Sequence, residues 1–330
     1  MNAISSSKDV AGYLVAAAVW APSVQNTQPW RFVDEAGQLS LYADAGRQLT
    51  AADPVGREML ISCGAALFTA RLALRSLGLI PEHRMLPDPA EPLLIAKLSW
   101  RRQADPVADE LRLFRQIWQR RSHRGGFDPV PLTQRFLATL CSGAEHDGAK
   151  LRLVCDAAEV AALAAVARTA EQASRLDGLR VREAATWAPP PGSRRSDGVP
   201  ATSYPARPPR LVPDFPTRDF AHGRSWGLPP SSAQARAQWI GQVCMLTTTG
   251  DDPVDWVNAG QALQRLLLTS SACGVSAALH TQPVEFDWLR ASIRTQLAGG
   301  DYPQLVLRLG TVAQNAVSVR RSPADVLSHS

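Results

Sequence analysis

The segment from Ala21 to Phe32 concentrates neutral hydrogen-bonding side chains between two prolines. Pro22 and Pro29 fix the backbone torsion φ, and each removes one backbone N–H donor. Between them lie five side chains that can both donate and accept hydrogen bonds: Ser23, Gln25, Asn26, Thr27 and Gln28. Such a supply suits a flat heterocycle with alternating N–H and C=O groups, which makes the segment a candidate ligand-binding turn. The alternative is a plain loop that enters a strand, with Trp30 and Phe32 as core anchors.

A second segment, Arg120-Arg121-Ser122-His123-Arg124, places three guanidinium groups and one hydroxyl within five residues. A guanidinium is permanently charged, and its fork of donors matches a phosphate group. The serine hydroxyl can complete such a cradle. A solvent-exposed basic helix end is the alternative interpretation. We expect His123 to be solvated or hydrogen-bonded, not catalytic.

The two segments together resemble the nitroreductase family of FMN-dependent oxidoreductases. Its members carry an Arg-Arg/His-Ser-x-Arg motif and an Ala-Pro-Ser-x-x-Asn-x-Gln-Pro-Trp-x-Phe motif, and both are present here nearly intact. Their order is inverted, because Ser23 precedes Arg120 by 97 positions. The inversion resembles the Acg-like proteins of actinobacteria, which are tandem nitroreductase repeats in one polypeptide. Further stretches that carry the resemblance are 53–58, 62–67, 86–89 and 259–263.

An internal repeat is visible without reference to any family. One helical pattern begins at Gly64 and stops at Gly78, and a second begins at Gly260 and stops at Gly274, each 196 positions further on. A glycine after the last helical residue suits the left-handed position that ends many helices. A long period with only two copies indicates duplication.

Apolar strands are predicted at matching places in the two halves. They are Trp30–Val33 and Leu39–Tyr42 as a hairpin, Leu93–Leu98 after the first helix, Leu151–Cys155 as the counterpart of the first hairpin strand, and Leu305–Leu309 after the second helix. With the resemblance, the predicted fold class is α+β: two nitroreductase-like repeats that form an intramolecular pseudo-dimer, each a mixed or antiparallel sheet flanked by helices. The predicted domains are 1–105, with the Pro-Ser-x-x-Asn motif, and 106–330, with the Arg motif.

Nitroreductases are usually homodimers whose FMN takes ligands from both subunits, so one duplicated chain would supply both. Each half, however, carries only one of the two motifs. The stretch 141–148, taken as the counterpart of 21–28, reads Cys-Ser-Gly-Ala-Glu-His-Asp-Gly. The resemblance therefore implies one FMN per chain, bound between the halves.

A proline-dense segment from about residue 186 to 232, called here the Pro-rich segment, has neither helical nor strand periodicity. Long loops of this kind are often lids or linkers. Its aromatic side chains argue against a free linker: Trp187, Tyr204, Phe215, Phe220 and Trp226. Since an insertion in Acg-like proteins covers the flavin pocket, we interpret the segment as a lid, with a partner-binding or merely packed insert as the alternatives.

The resemblance also assigns roles to individual residues. The Arg motif (Arg120, Arg121, Ser122, Arg124) is expected at the phosphate and at the N1/C2=O side of the ring, with Arg320 and Arg321 joining the phosphate site. The first repeat would contribute Ser23, Gln25, Asn26 and Gln28. Leu279, His280 and Thr281 would follow the N5 edge of the ring. A lone His in a packed turn is more often structural than catalytic, so no catalytic side chain and no metal ligand are assigned.

Composition is that of an ordinary globular protein, with 45% hydrophobic and 20% charged residues in 330. The net charge of +5 suits a phosphate-bearing cofactor, and no nucleic-acid-binding motif is found. Five cysteines without C-x-x-C spacing predict free, mostly buried thiols in a reducing cytoplasm. No apolar stretch is expected to span a membrane, and the run Val10–Trp20 is assigned to a helix of the first repeat and not to a signal peptide.

These observations predict an FMN-dependent oxidoreductase that passes hydride or electrons to or from a small organic substrate, with NAD(P)H as the candidate reductant or oxygen as the oxidant. A flavin-sequestering protein with a lid-blocked site is the alternative from another class. A scaffold that has lost its flavin is a third, disfavoured by the intact Arg motif. The internal duplication predicts a monomer or a weak homodimer.

Overall fold

The computed structural model describes residues 7–35, 37–101, 104–207, 209–229, 238–312 and 317–329. Its helices are α1 Ser7–Ala18, α2 Arg57–Ser76, α3 Ala108–Gln116, α4 Gln134–His146, α5 Ala157–Leu176, α6 Gly178–Thr186, α7 Pro253–Ala272, α8 Gln282–Glu285 and α9 Asp287–Gln296. Its strands are β1 Trp30–Glu35, β2 Gln38–Ala43, β3 Ile80–Met85, β4 Leu94–Arg101, β5 Lys150–Val154, β6 Gln242–Thr248, β7 Ser276–His280, β8 Tyr302–Gly310 and β9 Leu327–His329.

Two sheets with the same internal order organise the chain. The first has the order β3-β4-β2-β1-β9 and the second β7-β8-β6-β5. Neighbouring strands are antiparallel, except that β9 runs parallel to β1. Reading β1 to β4 against β5 to β8 gives the same arrangement in both halves. The α+β class and all five predicted strands are confirmed.

The β1–β2 hairpin shows why these residues form strands. Trp30 and Phe32 are fully buried while Arg31 is exposed, as expected when alternate side chains face opposite sides of a sheet. Glu35 pairs with Gln38, and Gly37 between them has φ of +98°, a value that strongly favours glycine. The predicted hairpin is therefore confirmed, with Trp30 and Phe32 as core anchors.

The two predicted helices, α2 and α7, are each 20 residues long and are displaced by 196 positions at both ends. Gly78 and Gly274 follow them with φ of +74° and +70°, which confirms the predicted helix ends. The predicted starts were wrong, because the helices begin seven residues before Gly64 and Gly260. In α7 the start is set by the Asp252 side chain, which accepts hydrogen bonds from two backbone N–H groups of the first turn.

Gly64 and Gly260 instead mark the place where α2 and α7 cross. A Cβ atom on Gly64 would lie 2.1 Å from the carbonyl oxygen of Val257, and one on Gly260 would lie 2.0 Å from that of Ile61. The two Cα atoms thus meet at the closest approach of the helix backbones. Equivalent positions of the two halves face each other there, which is the geometry of an isologous contact.

The stretch 141–148 is largely helical and is not a counterpart of the 21–28 loop, because α4 continues to His146. Only residues 147–149 separate α4 from β5, whereas residues 19–29 separate α1 from β1. The second half therefore has no room for an equivalent polar loop.

The C-terminal strand joins the first sheet, although the sequence assigns it to the second domain. Phe32, Val33 and Asp34 of β1 pair in parallel with Leu327, Ser328 and His329 of β9. The domain boundaries remain a prediction, and the structure adds that the chain ends by returning to its first half.

The described parts of the Pro-rich segment are packed against the protein. Tyr204 and Phe215 are buried, and an apolar cluster forms from Val199, Ala201, Tyr204 and Ala221, with Phe220 and Trp226 packed on it. This confirms that the aromatic side chains do not belong to a free linker.

One helix among the described residues, α2, is long and apolar enough to cross a membrane by length and composition alone. It lies inside the protein, with 83% of its most apolar window buried. All five cysteines are free thiols, as predicted, but the prediction that most are buried is wrong. Cys63 and Cys244 are buried, Cys141 is half-buried, and Cys155 and Cys273 are exposed.

Candidate functional site

A cavity of about 770 Å³, including the space at its mouth, opens between the two halves of the chain. Side chains from both halves of the chain line it. The lining residues are Pro22, Ser23, Val24, Gln25, Glu58, Ile61, Ser62, Ser122, His123, Arg124, Arg218, Phe220, Leu263, Leu279, Thr281, Gln304 and Leu305.

The Arg motif reaches the cavity because it runs beside β7. Ser122 forms a parallel bridge with Ala277, and the His123 N–H donates to the Ala277 carbonyl at 2.8 Å. This register carries Ser122 and Arg124 to the same cavity as Leu279 and Thr281, although more than 150 residues separate them in sequence.

The 21–28 loop forms the opposite wall and has an unusual backbone. Gln25, Asn26 and Gln28 have positive φ, at 45°, 56° and 51°. Asparagine tolerates this region, but glutamine pays a conformational cost for it, and such costs concentrate at functional sites. The loop is joined to α2 through the Ser62 hydroxyl, which accepts from the Val24 N–H at 3.3 Å.

A smaller polar recess continues from this cavity and contains Arg124 and Arg320. Its other lining residues are Pro22, Ser23, Asn26, Ser122, Gly198, Val199, Pro200, Ser203 and Ser318. No carboxylate lines the described part of this recess. Arg120 lies behind it, buried, with two guanidinium nitrogens (Nε and Nη1) that have no hydrogen-bond partner, and the Nε of Arg320 also lacks one.

No carboxylate among the described residues that line the recess balances the charge of these arginines. Burial, followed by Arg121 and Arg124, lowers the pKa of Arg120 to about 9, and burial lowers that of Arg124 to about 10. The pKa of Arg320 falls well below its usual range through burial and through Arg120, Arg121 and Arg124. Guanidinium groups placed together without a carboxylate have the charge and the donors that suit an anion.

The Asn26 side chain forms hydrogen bonds to two other segments that line the recess. Its side-chain amide donates to the carbonyls of Gly198 at 2.8 Å and Val319 at 3.2 Å, and its Oδ1 accepts from Arg320 at 2.9 Å. The loop, the Pro-rich segment and the C-terminal segment therefore meet at one side chain.

Replacing Asn26 with alanine is expected to lower the free energy of unfolding by about 1–3 kcal/mol, because the buried partners lose their hydrogen bonds. Denaturant unfolding measures this change. Asn258→Ala is the matched control, since Asn258 accepts only one long bond, from Gln261 at 3.4 Å, within a helix. Equal stability of the two variants would contradict the joining role of Asn26.

Five of the predicted residues lie outside the lining of both the cavity and the recess. Arg120 is buried behind the recess. The Gln28 side chain donates to the Ser196 carbonyl and accepts from the Arg321 N–H. Arg121 stacks on Trp20 at 4.7 Å, and Arg321 donates to the Gln28 and Asp325 carbonyls. The His280 Nε2 accepts from Arg308 at 2.7 Å, so its ring is a structural acceptor and not a candidate proton donor to the cavity.

His123 lines the cavity but is also bound to the protein, with Nε2 at 2.8 Å from the Gly126 carbonyl. Burial lowers its pKa to about 4, so the ring is neutral at pH 7. This matches the expectation that it is not a catalytic group.

Sequence reasoning missed Glu58, Arg218 and Gln304, which line the cavity, and named Phe220 only as one of the lid aromatics. Glu58 could have been found from the sequence, because the charged pair Arg57-Glu58 comes directly before a long apolar run. No sequence pattern indicated Arg218 or Gln304, since their positions depend on how the Pro-rich segment and β8 pack.

The fold and the cavity define a class: an α+β protein with a ligand site shared between its two halves and an arginine recess suited to an anionic group. The comparisons with known proteins specify the family. No family model matches the chain. A Mycobacterium tuberculosis (strain H37Rv) protein named "Putative NAD(P)H nitroreductase" is 32% identical over 94% of this chain and 88% of its own length. The chain belongs to this nitroreductase family.

The resemblance to the Acg-like branch is confirmed as well. The M. tuberculosis protein named "Putative NAD(P)H nitroreductase acg" is 26% identical over 97% of this chain and 96% of its own length. Among solved structures, a nitroreductase with bound FMN from Desulfitobacterium hafniense covers 66% of this chain and 98% of its own, with a TM-score of 0.41 and 11% identity.

Proposed function

We propose that this protein is an FMN-dependent oxidoreductase that takes reducing equivalents from NAD(P)H and passes them to a small organic acceptor. The observation that carries the proposal is the arginine recess, which Arg124 and Arg320 line and near which Arg120 is buried. Arg120 and Arg320 have buried N–H groups without a hydrogen-bond partner, and no carboxylate is among the described lining residues. A phosphate group supplies the oxygen acceptors and negative charge that these donors lack.

The rest of the cavity suits the ring of the same cofactor. Apolar side chains of Ile61, Leu263 and Leu305 can lie against a flat face, and polar groups of Gln25 and Thr281 can meet its edge. Thus Arg124 and Arg320 would hold the phosphate, with Arg120 adding charge from behind, and Ser23, Ser122, Gln25, Leu279 and Thr281 would orient the ring.

When bound, FMN would supply the hydride and electron chemistry, which no side chain provides. The side chains of the protein would bind and orient the cofactor and exclude water from the cavity. Arg124 joins the two ligand regions, because it lines both the cavity and the recess. Positive charge there favours the cofactor's phosphate and any negative charge that develops at the ring.

The Pro-rich segment is proposed as the lid. Its first part is fixed to the first half of the chain: Asp197 pairs with Arg47 at 2.9 Å, and the Trp187 ring lies between Arg47 and Arg195. Its later part brings Phe220 to the cavity, with the Arg124 guanidinium 5.1 Å from the ring centre. Phe220, not Trp187 or Tyr204, is the aromatic side chain that limits access.

Removing this side chain tests the lid. Phe220→Ala is expected to raise turnover of bulky acceptors several-fold while leaving that of small ones nearly unchanged, because the cavity mouth widens. Steady-state rates with acceptors of increasing size measure the effect. Trp226→Ala is the control, since Trp226 packs in the same apolar cluster without lining the cavity. Equal size dependence in both variants would count against the lid.

The direct experiment on the function is an absorption spectrum after incubation with FMN and desalting, followed by anaerobic NADPH and then NADH. Retained flavin at about one per chain that a nicotinamide bleaches is the expected result. Bound flavin that neither nicotinamide bleaches would instead support the sequestering alternative, which the relatives' names do not favour. A protein that retains no flavin would overturn the proposal.

We further propose that the two halves form a pseudo-dimer in one chain, supported by the matching strand order and by the Gly64–Gly260 contact. One complete ligand site per chain and a monomeric or weakly dimeric state follow from it. A cytoplasmic location also remains a proposal, in keeping with five free thiols.

A further inference from the structure

Glu58 is the single carboxyl group among the described residues that line the cavity. It lies in the first turn of α2 and is 4% exposed. Its Oε2 atom is buried and has no hydrogen-bond partner in the described structure. A carboxyl oxygen so placed needs a partner, and the cavity is where a ligand could provide one.

The one ion pair of Glu58 does not balance a buried charge. Its Oε1 accepts a single bond from the neighbouring Arg57 at 3.2 Å. Arg57 directs its other bonds to the carbonyl oxygens of Gln304 at 2.8 Å and Val284 at 3.1 Å. A two-oxygen, bidentate pair would stabilise an ionised carboxylate, whereas a single lateral contact leaves Oε2 uncompensated.

The surroundings favour the protonated form. Burial raises the pKa of Glu58 well above its usual range, and the facing carboxyl of Glu285 on α8 raises it further. Asp53, in the loop before α2, acts in the same direction, while Arg57 and Arg218 oppose it. Burial and the two neighbouring carboxyls thus favour a protonated Glu58 carboxyl, and Oε2 is its oxygen without a hydrogen-bond partner.

We propose that Glu58 is the acid that donates a proton from its carboxyl group to the acceptor reduced in this cavity; in the case of a benzoquinone, the probe used below, that acceptor takes up a hydride and a proton. This rests on the proposed function. The reduced nicotinamide provides two electrons and one hydrogen, and Glu58 provides the second hydrogen. The Glu58 O–H bond breaks, a new O–H bond forms on the quinone oxygen, and the hydroquinone leaves. The carboxylate then regains a proton from solvent.

The first test needs neither cofactor nor turnover. Infrared spectra of the ligand-free protein at pH 7 are expected to show the C=O stretch of a protonated carboxyl, which Glu58→Gln removes. Glu145→Gln, at an exposed position, is the control and should keep the band. In the wild type the band should disappear as pH rises. If Glu58→Gln does not fold, the titration of the wild type still tests for a carboxyl group that is protonated at pH 7. Absence of the band overturns the proposal.

The second test uses the FMN-loaded protein with a small benzoquinone and NADPH or NADH. Glu58→Gln is expected to retain FMN within about threefold while quinone reduction falls about 100-fold, the usual effect of losing a general acid. Wild-type turnover should fall as pH rises through the pKa of Glu58, and the variant should lack this dependence. An unchanged rate in flavin-loaded Glu58→Gln overturns the donor role alone. A wild type that binds no FMN overturns the proposed function and the donor role together.

Discussion

Gly64→Ala is expected to destabilise the protein by about 3 kcal/mol or more, at the upper end of the range for overpacked cores. The added Cβ would lie 2.1 Å from the Val257 carbonyl oxygen and 2.9 Å from the carbonyl carbon. These are backbone atoms of a regular helix, so no side-chain rotation can relieve the contact. The helices α2 and α7 would have to move apart, and this would disturb the two cores that they join.

Denaturant unfolding measures the loss, with Gly12→Ala as the control. Gly12 is also a helical glycine, but a Cβ there meets nothing within 4 Å. Alanine has the higher helix propensity, so Gly12→Ala is expected to be neutral or stabilising by up to about 1 kcal/mol. Similar destabilisation by both variants would contradict the close crossing. Gly260→Ala should repeat the effect of Gly64→Ala, and the double variant should cost less than the sum because the helices are already separated.

The second large effect is expected in the arginine recess. Arg124→Met and Arg320→Met should each weaken FMN binding about 10- to 100-fold, since each removes a charge-assisted hydrogen bond worth about 1.5–3 kcal/mol. Riboflavin has the same ring without the phosphate, so its binding should change much less in Arg320→Met. The preference for FMN over riboflavin is thus the quantity to measure, by fluorescence titration of both ligands.

A matched control is Arg101→Met, because the Arg101 side chain is 70% exposed and its partner is Glu82 on the surface. It should leave both affinities unchanged. A further consequence follows from Arg120, whose two unpartnered nitrogens are buried. Arg120→Met is expected to raise the thermal stability of the ligand-free protein while weakening FMN binding, because it relieves like-charge repulsion. Equal preference for FMN in the wild type and in Arg320→Met would remove the phosphate assignment.

Local features of this fold could be predicted because they depend on short-range physics. The hairpin of β1 and β2 follows from alternating burial and from Gly37, and the ends of α2 and α7 follow from Gly78 and Gly274. The repeat of 196 positions located both helices. It did not locate their starts, since Gly64 and Gly260 are set by a contact between helices and not by helix capping.

The composition of the site was only partly available from the sequence. Residue types and motifs identified Ser23, Gln25, Ser122 and Arg124, and the family resemblance added Leu279 and Thr281; all six line the cavity. They also nominated Gln28 and His280, whose side chains the structure commits to Ser196 and Arg308. A polar side chain in a motif can serve a ligand or the protein itself, and only its neighbours determine which.

The sequence by itself determined the family and the α+β elements, and it predicted the duplication, because motifs, periodicity and glycine-ended helices are properties of short stretches. Tertiary structure alone decided that Glu58 faces the cavity with an unpartnered oxygen and that Arg218 and Phe220 reach the same space. It also decided that the chain returns to its first sheet, which brings Arg320 to Asn26. These contacts join residues far apart in sequence, and burial, which sets their charge and reactivity, exists only once the chain has folded.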